Sequence, residues 1–480
     1  MNHGITGDAA QAMRWRVVQL AGVQAIYFLR LLILAKLLAP DVFGLLAIAT
    51  IALSVMMRLS DVGMIPALVQ RSNATREEEN AAWTVGLARA AFVAIVLVLV
   101  APAVGGLFNE MAVVPVIQVL AFRPLLDASA SIGIARLTRD LKFKQVALIY
   151  LPGAVADLVT AVATAPTLGI WALVAGAIAG SAVTAIISYV FAAHRPRFSL
   201  AWRAVAPLMN FGRWVLLAGI ATLTGTLVTQ LAVSRELGAA ALGLYFLALK
   251  VAFLPIEAAG AVVGAVAFPM FARLRDDPAA TNRSFAMLLA GFGLVLLPVY
   301  ALLFVIAPLF EQALGDRWAG TAPIVQILAV AGVAAILADL LAPLLLGQGR
   351  ANRVFALEGL QTAVLLAVLW PSIAWFGVAG AAIACLAGNL AALIIAAIWT
   401  RRLAPGAMRN VSNRFAAATL AATAAAGVSV ALSDFWTGFT ALVTTGVAGT
   451  VTAIAVLWIL NSPFRLELAD YGALLRREGT

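Results

Sequence analysis

Charged side chains interrupt the long apolar runs of this sequence, and these side chains have the chemistry to bind ions. A charge inside a membrane helix costs at least ~2.5–3.5 kcal/mol, so it persists only where it faces protein or water. If the cations line a wet cavity they suit an anion, and the guanidinium forks of arginine match phosphate oxygens especially well. The candidate anion ligands are Arg30, Arg89, Arg123 and Lys250. The candidate acids for relaying protons or binding Na⁺ are Asp61, Asp127, Asp157, Glu257 and Asp339.

Some of these charges have local partners, and a structural role in holding helices together is then an equal alternative. Arg123 and Asp127 are one helical turn apart, so they share a helix face. Lys250 and Glu257 are two turns apart and also share a face.

Arg30 and Arg89 have no acidic residue at helical spacing on their own segments. Pairing with a distant acid such as Asp157 or Asp339 would neutralise them, whereas exposure to a cavity would leave them available to a ligand. The sequence leaves both alternatives open.

The elements that must position these charges are membrane helices. Of the 480 residues, 63% are hydrophobic and 11% are charged, and the mean hydropathy is +1.01, whereas a soluble protein carries roughly 25% charged residues. Apolar runs of span length follow one another with short polar gaps, unlike the alternating segments of a membrane barrel. We therefore expect an all-α integral membrane protein with about fourteen transmembrane helices. The predicted spans are residues 17–38, 43–69, 82–105, 113–135, 145–166, 169–193, 208–234, 240–271, 285–309, 321–346, 354–374, 376–399, 415–433 and 438–460.

Basic residues in the loops predict the orientation of the chain. If the N-terminus lies inside, the inner segments hold nearly all of the loop lysines and arginines, and the outer loops hold Arg317 alone. The positive-inside rule then places both termini in the cytoplasm. This topology also accounts for the net charge of +10, so nucleic acid is not an expected partner.

Two smaller groups of residues follow from this topology. Three tryptophans near predicted outer boundaries are expected to anchor the chain at the membrane interface, and these are Trp171, Trp318 and Trp370. The three consecutive glutamates Glu77, Glu78 and Glu79 are expected to lie in a solvated inner loop.

An internal repeat divides the chain. Arg14-Trp15 recurs as Arg213-Trp214 and Phe43-Gly44 as Leu242-Gly243, both 199 residues later. Further along, Gly169-Ile170 recurs as Gly377-Val378, 208 residues later. The ordered series predicts two six-helix halves, residues 1–203 and 204–403, followed by two additional transmembrane helices and a cytoplasmic tail in residues 404–480. Because each half has an even number of helices, the halves are parallel repeats, and transporters of this kind bind substrate between the halves.

The sequence contains no recognisable catalytic or cofactor motif. The two histidines, His3 and His194, lie at a chain end and an inner boundary, and the single cysteine, Cys385, lies in an apolar run. Neither an H-E-x-x-H nor a G-x-S-x-G pattern is present. We therefore expect no metal, no cofactor and no enzymatic activity. A membrane polysaccharide polymerase or ligase, or a glycosyltransferase, is the more distant alternative.

The stretch from Leu34 to Arg71 resembles the opening of polysaccharide flippases. These form the oligosaccharide-lipid branch of the multidrug, oligosaccharidyl-lipid and polysaccharide exporter superfamily. The matching elements are Leu34-Ala35-Lys36, Pro40, Phe43-Gly44 and Asp61-Val62-Gly63, with Lys36 where arginine is more usual. The segment from Arg139 to Phe143 resembles the basic-aromatic inner loop of the branch that includes colanic-acid and other exopolysaccharide flippases.

The resemblance implies a transporter that flips undecaprenyl-diphosphate-linked oligosaccharide repeat units across the bacterial inner membrane, for exopolysaccharide, capsule or O-antigen biosynthesis. Our leading hypothesis is that this transport works by alternating access, with the diphosphate bound by the intramembrane cations Arg30, Arg89, Arg123 or Lys250. The expected partners are the lipid-linked oligosaccharide, membrane lipids, H⁺ or Na⁺ as the coupling ion and, as a candidate, a polysaccharide polymerase. A cation-coupled multidrug exporter of the same superfamily is the alternative, but twelve helices and an acid-dominated cavity would be expected of it.

Overall fold

The computed structural model describes residues 2–60, 75–192, 195–199, 213–403, 407–433 and 438–460. These residues form sixteen α-helices and one short 3-10 helix, Asp316–Trp318, and they include no β-strand. Numbered along the chain, the helices are α1 (Asn2–Leu37), α2 (Pro40–Ser60), α3 (Arg76–Phe108), α4 (Val113–Leu120), α5 (Arg123–Ser129), α6 (Gly133–Arg139), α7 (Phe143–Leu168), α8 (Ile170–Phe191), α9 (Arg213–Arg273), α10 (Pro278–Leu314), α11 (Thr321–Asp339), α12 (Leu341–Gly347), α13 (Ala351–Phe376), α14 (Val378–Leu403), α15 (Ala407–Ser433) and α16 (Gly438–Leu460).

Helix length and apolarity confirm the all-α membrane fold. Within the described part of the chain, ten helices are long and apolar enough to cross a membrane, or eleven if the bent segment from α4 to α6 counts as one span. The C-terminal helices α15 and α16 add shorter apolar stretches, Ala416–Leu432 and Thr440–Val456. Each of the fourteen predicted segments corresponds to one or more of the sixteen helices.

The count by length is lower than fourteen partly because two predicted spans are continuous. Residues 208–234 and 240–271 were expected as separate helices, and in the structure two helices follow each other directly across a kink within the 61 residues of α9. The only non-helical residue inside α9 is Gly238, with φ 87° and ψ 173°. This backbone conformation favours glycine, and it separates the two predicted spans at the expected place.

One other predicted span is broken rather than continuous. Residues 113–135 form α4, α5 and α6, with a bend of 59° between Val113–Ser129 and Gly133–Arg139. The break falls at Ala130, whose backbone is extended (φ −57°, ψ 151°). Residues 321–346 form one candidate span, Thr321–Gly347, since Leu340 between α11 and α12 keeps a helical backbone (φ −61°, ψ −19°).

Cα packing divides the chain into two compact units, Met1–Leu247 and Ala248–Thr480. In the first unit α7 packs against α1 and α8, and α3 packs against α4 and α5. In the second unit α13 packs against α14, and α15 and α16 pack against each other and against α10. The predicted division at residues 203 and 403 describes the sequence repeat, and it stays a prediction.

The backbone supports the repeat in detail. Gly169 joins α7 to α8 with φ 54° and ψ −120°, and Gly377, 208 residues later, joins α13 to α14 with φ 55° and ψ −132°. The turns before α7 and α13 contain matching hydrogen bonds. Lys142 N donates to Leu137 O, and Arg350 N donates to Leu345 O, both at 2.8 Å. The two helical hairpins therefore have the same local design.

The same two hairpins use equivalent glycines for close packing. A Cβ atom on Gly180 would stand 2.9 Å from the carbonyl oxygen of Gly153, and one on Gly388 would stand 2.7 Å from that of Gln361. Both distances are shorter than real Cβ contacts allow. Small residues at such positions let helix backbones approach closely, as is common in membrane proteins.

A second glycine pair lies where the start of α2 crosses the part of α9 that follows Gly238. A Cβ atom on Gly44 would overlap the carbonyl oxygen of Ala239, and one on Gly243 would overlap that of Pro40. Gly44 and Gly243 are repeat equivalents, and so are Pro40 and Ala239. The contact is therefore reciprocal, and backbone packs directly on backbone across it.

Replacing Gly44 or Gly243 by valine is expected to destabilise the protein, because the crossing helices have to move apart. Overpacking of this kind costs about 1–3 kcal/mol. Thermal unfolding of the detergent-purified variants should show a lower midpoint for Gly44→Val and for Gly243→Val. Gly106→Val is the matched control, since Gly106 is a helical glycine with open space around it. Equal midpoints for all three variants would contradict the tight crossing.

Candidate functional site

A buried ion pair joins two of the predicted site residues. Arg30 on α1 and Asp157 on α7 are 2.8 Å apart between Nε and Oδ1, and their side chains are 17% and 5% exposed. Arg30 also donates a hydrogen bond of 3.1 Å from Nη2 to the carbonyl oxygen of Leu173 on α8. Of the two alternatives for Arg30, the structure contains the ion pair with a distant acid.

Glycines on α8 make room for this ion pair. A Cβ atom on Gly176 would stand 2.5 Å from Oδ1 of Asp157, and one on Gly180 would stand 2.8 Å from Cβ of Asp157. A side chain at either position would displace the carboxylate from Arg30. The small-xxx-small spacing of these glycines therefore serves packing within the chain, around a charged group.

Arg123 and Asp127 extend the ion pair into a cluster. Their side chains are 3.8 Å apart between Nε and Oδ2, which confirms the pairing expected from their spacing. Arg123 also acts electrostatically on Asp157 and on Tyr27 of α1. Arg30, Arg123, Asp127 and Asp157 thus form what we call the charge cluster of the first unit.

A cavity of about 570 Å³ adjoins the charge cluster at Asp127. Its charged lining residues are Arg16 on α1, Arg89 on α3 and Asp127 on α5. Met57 near the end of α2 and Thr138 near the end of α6 also line it, so it lies toward one end of the helices. We call it the basic cavity, because two of its three charged residues are cations.

Arg16 was not predicted as a site residue, because it was counted among the loop cations that set topology. Its side chain is held in place by Nη1 donating to Oε1 of Gln19 at 2.8 Å and by lying 5.3 Å from the centroid of the Phe143 ring. A second cation–π contact, Lys144 over Trp15 at 5.8 Å, braces the same two helices, α1 and α7. No sequence pattern separates Arg16 from its basic neighbours, and only its position in the fold does.

The start of α3, which carries Arg89, is positioned by a capping box. Glu78 N donates to Thr75 Oγ1 at 3.2 Å, and Thr75 N donates to Glu78 Oε2 at 2.8 Å. The next residue, Glu79, is only 1% exposed and pairs with Arg136 of α6, with Nε and Oε1 2.5 Å apart. The expectation of a solvated loop for all three glutamates was therefore wrong for Glu79, because a cation from a distant helix neutralises it.

The remaining predicted site residues belong to the second unit or fall outside the description. Lys250 and Glu257 form the expected pair at 3.6 Å, and both are exposed. Asp339, at the end of α11, acts electrostatically with Glu358 and Tyr300. Asp61 lies outside the described residues. The structure thus brings Arg89 and Asp127 to the same cavity, beside the other members of the charge cluster. Lys250, Glu257 and Asp339 belong to the other unit.

Three further expectations concern single residues. Trp171 and Trp370 are exposed as interface anchors should be, but Trp318 is fully buried, so its anchoring role was wrong. Cys385 is buried, and its thiol is contacted by Asn389 Nδ2 at 3.4 Å. Among the described residues, no group of three or more His, Cys, Asp or Glu side chains could hold a metal ion.

The described residues form a multi-pass helical membrane fold with charged groups inside its bundle, an arrangement typical of membrane transporters. Residues 33–323 match the family described as polysaccharide biosynthesis protein, and the chain belongs to this family. The family and the relatives confirm the resemblance to polysaccharide flippases and the expectation of a transporter in place of an enzyme. The chain is accordingly an export or flippase-type transporter of polysaccharide biosynthesis.

Relatives and solved structures agree with this assignment. The chain is 24% identical to the lipopolysaccharide biosynthesis protein WzxC of Escherichia coli strain K12, over 80% of this chain and 78% of the relative. It is 24% identical to the succinoglycan biosynthesis transport protein ExoT of Rhizobium meliloti strain 1021, over 66% and 64%.

Two solved structures share the fold. The lipid II flippase MurJ in an inward closed conformation has a TM-score of 0.66 at 12% identity, covering 95% of this chain and 100% of that one. An inward-facing multidrug transporter of the MATE family has a TM-score of 0.64 at 16% identity, covering 82% and 99%. At these identities the likeness concerns the fold alone.

Removing the carboxylate of Asp157 is expected to destabilise the protein, because it leaves the Arg30 guanidinium buried and uncompensated, at a cost of about 3–5 kcal/mol. Asp157→Leu should therefore lower the thermal midpoint of the purified protein and its yield in the membrane. At the repeat offsets of 199 and 208 residues the corresponding residues are Thr229 and Leu365, so the double variant Arg30→Thr with Asp157→Leu removes both charges and introduces the residue types found there. The double variant should recover much of the loss. A single variant as stable as the parent protein would show that the ion pair has no structural role.

Proposed function

We propose that this transporter flips undecaprenyl-diphosphate-linked oligosaccharide repeat units from the inner to the outer leaflet of the bacterial inner membrane. The product would supply exopolysaccharide, capsule or O-antigen biosynthesis. Support comes from the family, from relatives named for lipopolysaccharide and succinoglycan biosynthesis, and from a fold shared with a protein named as a lipid II flippase.

The basic cavity is the observation that carries the choice of an anionic substrate. Arg89 faces this cavity with Arg16, and the neighbouring hydroxyl and amide groups of Ser131, Tyr150 and Gln19 also line it. Guanidinium groups suit the diphosphate, and neutral hydrogen-bonding groups suit sugar hydroxyls. The polyprenyl tail would stay in the lipid.

The proposed diphosphate ligands remain Arg30, Arg89, Arg123 and Lys250. Their contacts in the structure indicate how readily each could bind phosphate. Arg89 lines the cavity, and Arg123 is adjacent to it through Asp127. To bind phosphate oxygens, Arg30 would have to break its ion pair with Asp157, and Lys250 would have to break its ion pair with Glu257. A carboxylate released in this way could take up a proton or Na⁺, which is the coupling role proposed for Asp61, Asp127, Asp157, Glu257 and Asp339.

Alternating access is the proposed mechanism, in which residues 1–203 rock against residues 204–403. Residues 404–480 contribute α15 and α16, outside the repeat. The proposed orientation has both termini in the cytoplasm, since nearly all loop cations then lie inside. A polysaccharide polymerase is a candidate partner, because the flipped repeat units have to be joined after transport.

A cation-coupled multidrug exporter is the second candidate, because the fold matches a multidrug transporter as well as a lipid II flippase. A cationic drug requires a site dominated by carboxylates. Two of the three charged residues that line the basic cavity are cations, so a multidrug exporter is less favoured than a flippase. Drug resistance conferred on a sensitive host, without transfer of lipid-linked sugar, would favour it.

Replacing Arg89 by glutamine is expected to reduce polysaccharide export at least tenfold, because a charge-assisted contact to phosphate contributes about 1.5–3 kcal/mol. The assay is complementation of a host that lacks its own flippase, with polymer measured outside the cell and lipid-linked repeat units measured inside. Unflipped repeat units should accumulate in the inner leaflet. Arg317→Gln is the control, since Arg317 is exposed and lies far along the chain from the basic cavity. Full export by Arg89→Gln, at equal protein level, would remove Arg89 from the site.

Reporter fusions test the proposed orientation. Green fluorescent protein joined after residue 480 should fluoresce, because it folds in the cytoplasm, and alkaline phosphatase at the same position should be inactive. Phosphatase inserted at Arg317 should be active outside. The reverse pattern would overturn the assignment of the termini.

A further inference from the structure

The predicted span 113–135 changes direction by 59° at Ala130, and side chains of α8 complete the hydrogen bonds that the break removes. In a continuous helix the N–H of Gly133 would bond to the carbonyl oxygen of Ser129. Here that oxygen accepts a hydrogen bond of 2.6 Å from the hydroxyl of Tyr189 on α8. The phenol therefore occupies the acceptor that a straight helix would use for its own backbone.

The donors at the break are satisfied in the same way. The N–H of Ser131 would bond to the carbonyl oxygen of Asp127 in a continuous helix, but it donates to Ser188 Oγ of α8 at 2.8 Å. The hydroxyl of Ser131 in turn accepts a hydrogen bond from Gly133 N at 3.2 Å. Three hydroxyl groups, two of them on α8, thus replace helical hydrogen bonds, so these backbone groups stay paired in the bent form.

A buried ion pair fastens α6 on its other side. Arg136 on α6 contacts Glu79 on α3, with Nε and Oε1 2.5 Å apart and the carboxylate side chain only 1% exposed. Beside this pair, Ala82 of α3 packs against Ile132 and Ala135 of α6. The bend is therefore held by two hydroxyls of α8 and by one ion pair with α3.

The second copy of the repeat contains the same span without the bend. At the offset of 208 residues Ala130 corresponds to Ala338, which lies within α11 in the single span Thr321–Gly347. The three side chains that hold the bend correspond to apolar ones in this copy, and the pairs are Ser188 and Ala396, Tyr189 and Ala397, and Arg136 and Leu344. The turn that follows contains the same hydrogen bond in both copies, so it is compatible with a straight span.

We propose that the break at Ala130 is a switchable hinge, which is bent while α8 and Glu79 hold it and straightens when these contacts break. Five residues at and after the break line the basic cavity, namely Ser131, Ile132, Ile134, Ala135 and Thr138. Since α6 has seven residues, straightening by 59° would carry its far end about 10 Å and change the width of the cavity. The use of this motion in transport rests on the proposed function, and the hinge itself does not.

Distances between spin labels test the hinge on the full chain in nanodiscs. In a Cys385→Ala background, labels at Asp140→Cys beyond α6 and at Ala88→Cys on α3 report the swing, since both positions are exposed. The parent protein should show mainly the distance of the bent form. Ser188→Ala and Tyr189→Phe should each raise the ratio of straight to bent molecules about fivefold, as expected for the loss of one hydrogen bond.

Removal of the ion pair extends the series. Glu79→Gln with Arg136→Leu, added to the two hydroxyl variants, should make the straight form the main population, and the exchanged pair Glu79→Arg with Arg136→Glu should shift it back toward the bent form. Thr184→Val is the matched control, because the hydroxyl of Thr184 donates to Gly180 O within α8 at 2.9 Å, one turn before the hinge contacts. It should keep the parent distances. One unchanged distance throughout the series would overturn the hinge.

A disulfide lock covers the case in which the weakened variants do not fold. Ala82→Cys with Ala135→Cys keeps the three polar contacts that hold the bend and joins α3 to α6 on oxidation, at positions that already pack together. The oxidised protein should lose polysaccharide export and regain it on reduction. Equal export by the oxidised and reduced forms would overturn the role of α6 in transport. A parent protein that moves no lipid-linked sugar, while its labels still show the swing, would refute the proposed function alone.

Discussion

The cost of removing a charge from water governs the interior of the first unit. Arg30 and Asp157 are both largely buried, and each would be strongly unfavourable there without the other. Arg30 on α1 reaches both Asp157 on α7 and the Leu173 carbonyl on α8, and the glycines at positions 153, 176 and 180 let α7 and α8 lie close together beside it. The carboxylate is held on one side by Arg30 and bounded on the other by bare backbone. The ion pair, the helix spacing and the glycines therefore depend on one another.

The sequence predicted most of the fold because membrane helices leave a strong local signal. Run length and polarity located the spans, and the ordered matches located the repeat that the backbone at Gly169 and Gly377 supports. The break at Ala130 within the predicted span 113–135 was missed, since the spans were located by run length and polarity alone. Gly238 lies between two predicted spans, and its non-helical backbone does separate two helices inside α9.

Charges were predictable where their partners are local. The spacing of Arg123 and Asp127 determined their pairing, as did that of Lys250 and Glu257. Arg30 meets an acid from a different helix, which spacing along the chain cannot reveal. Arg16 and Glu79 were missed for the same reason, because one was taken for a topology signal and the other for part of a solvated acidic run.

The two copies of the repeat share backbone design but differ in chemistry. Ser131 and Tyr150, which line the basic cavity, correspond at the offset of 208 residues to Asp339 and Glu358, two acids that act on each other. Cations thus gather in the first half, and carboxylates occupy equivalent positions in the second. Segments with the same local backbone design, such as those around Gly169 and Gly377, thus carry different ionisable side chains.

The reciprocal glycine crossing limits how far the two copies can diverge. Gly44 packs on Ala239 while Gly243 packs on Pro40, so each glycine meets the equivalent of the residue that the other glycine meets. Such reciprocity is the property of an interface between identical subunits related by a two-fold axis, here found inside a single polypeptide. The two glycines are therefore constrained as a pair, because a side chain gained by either displaces the backbone of both.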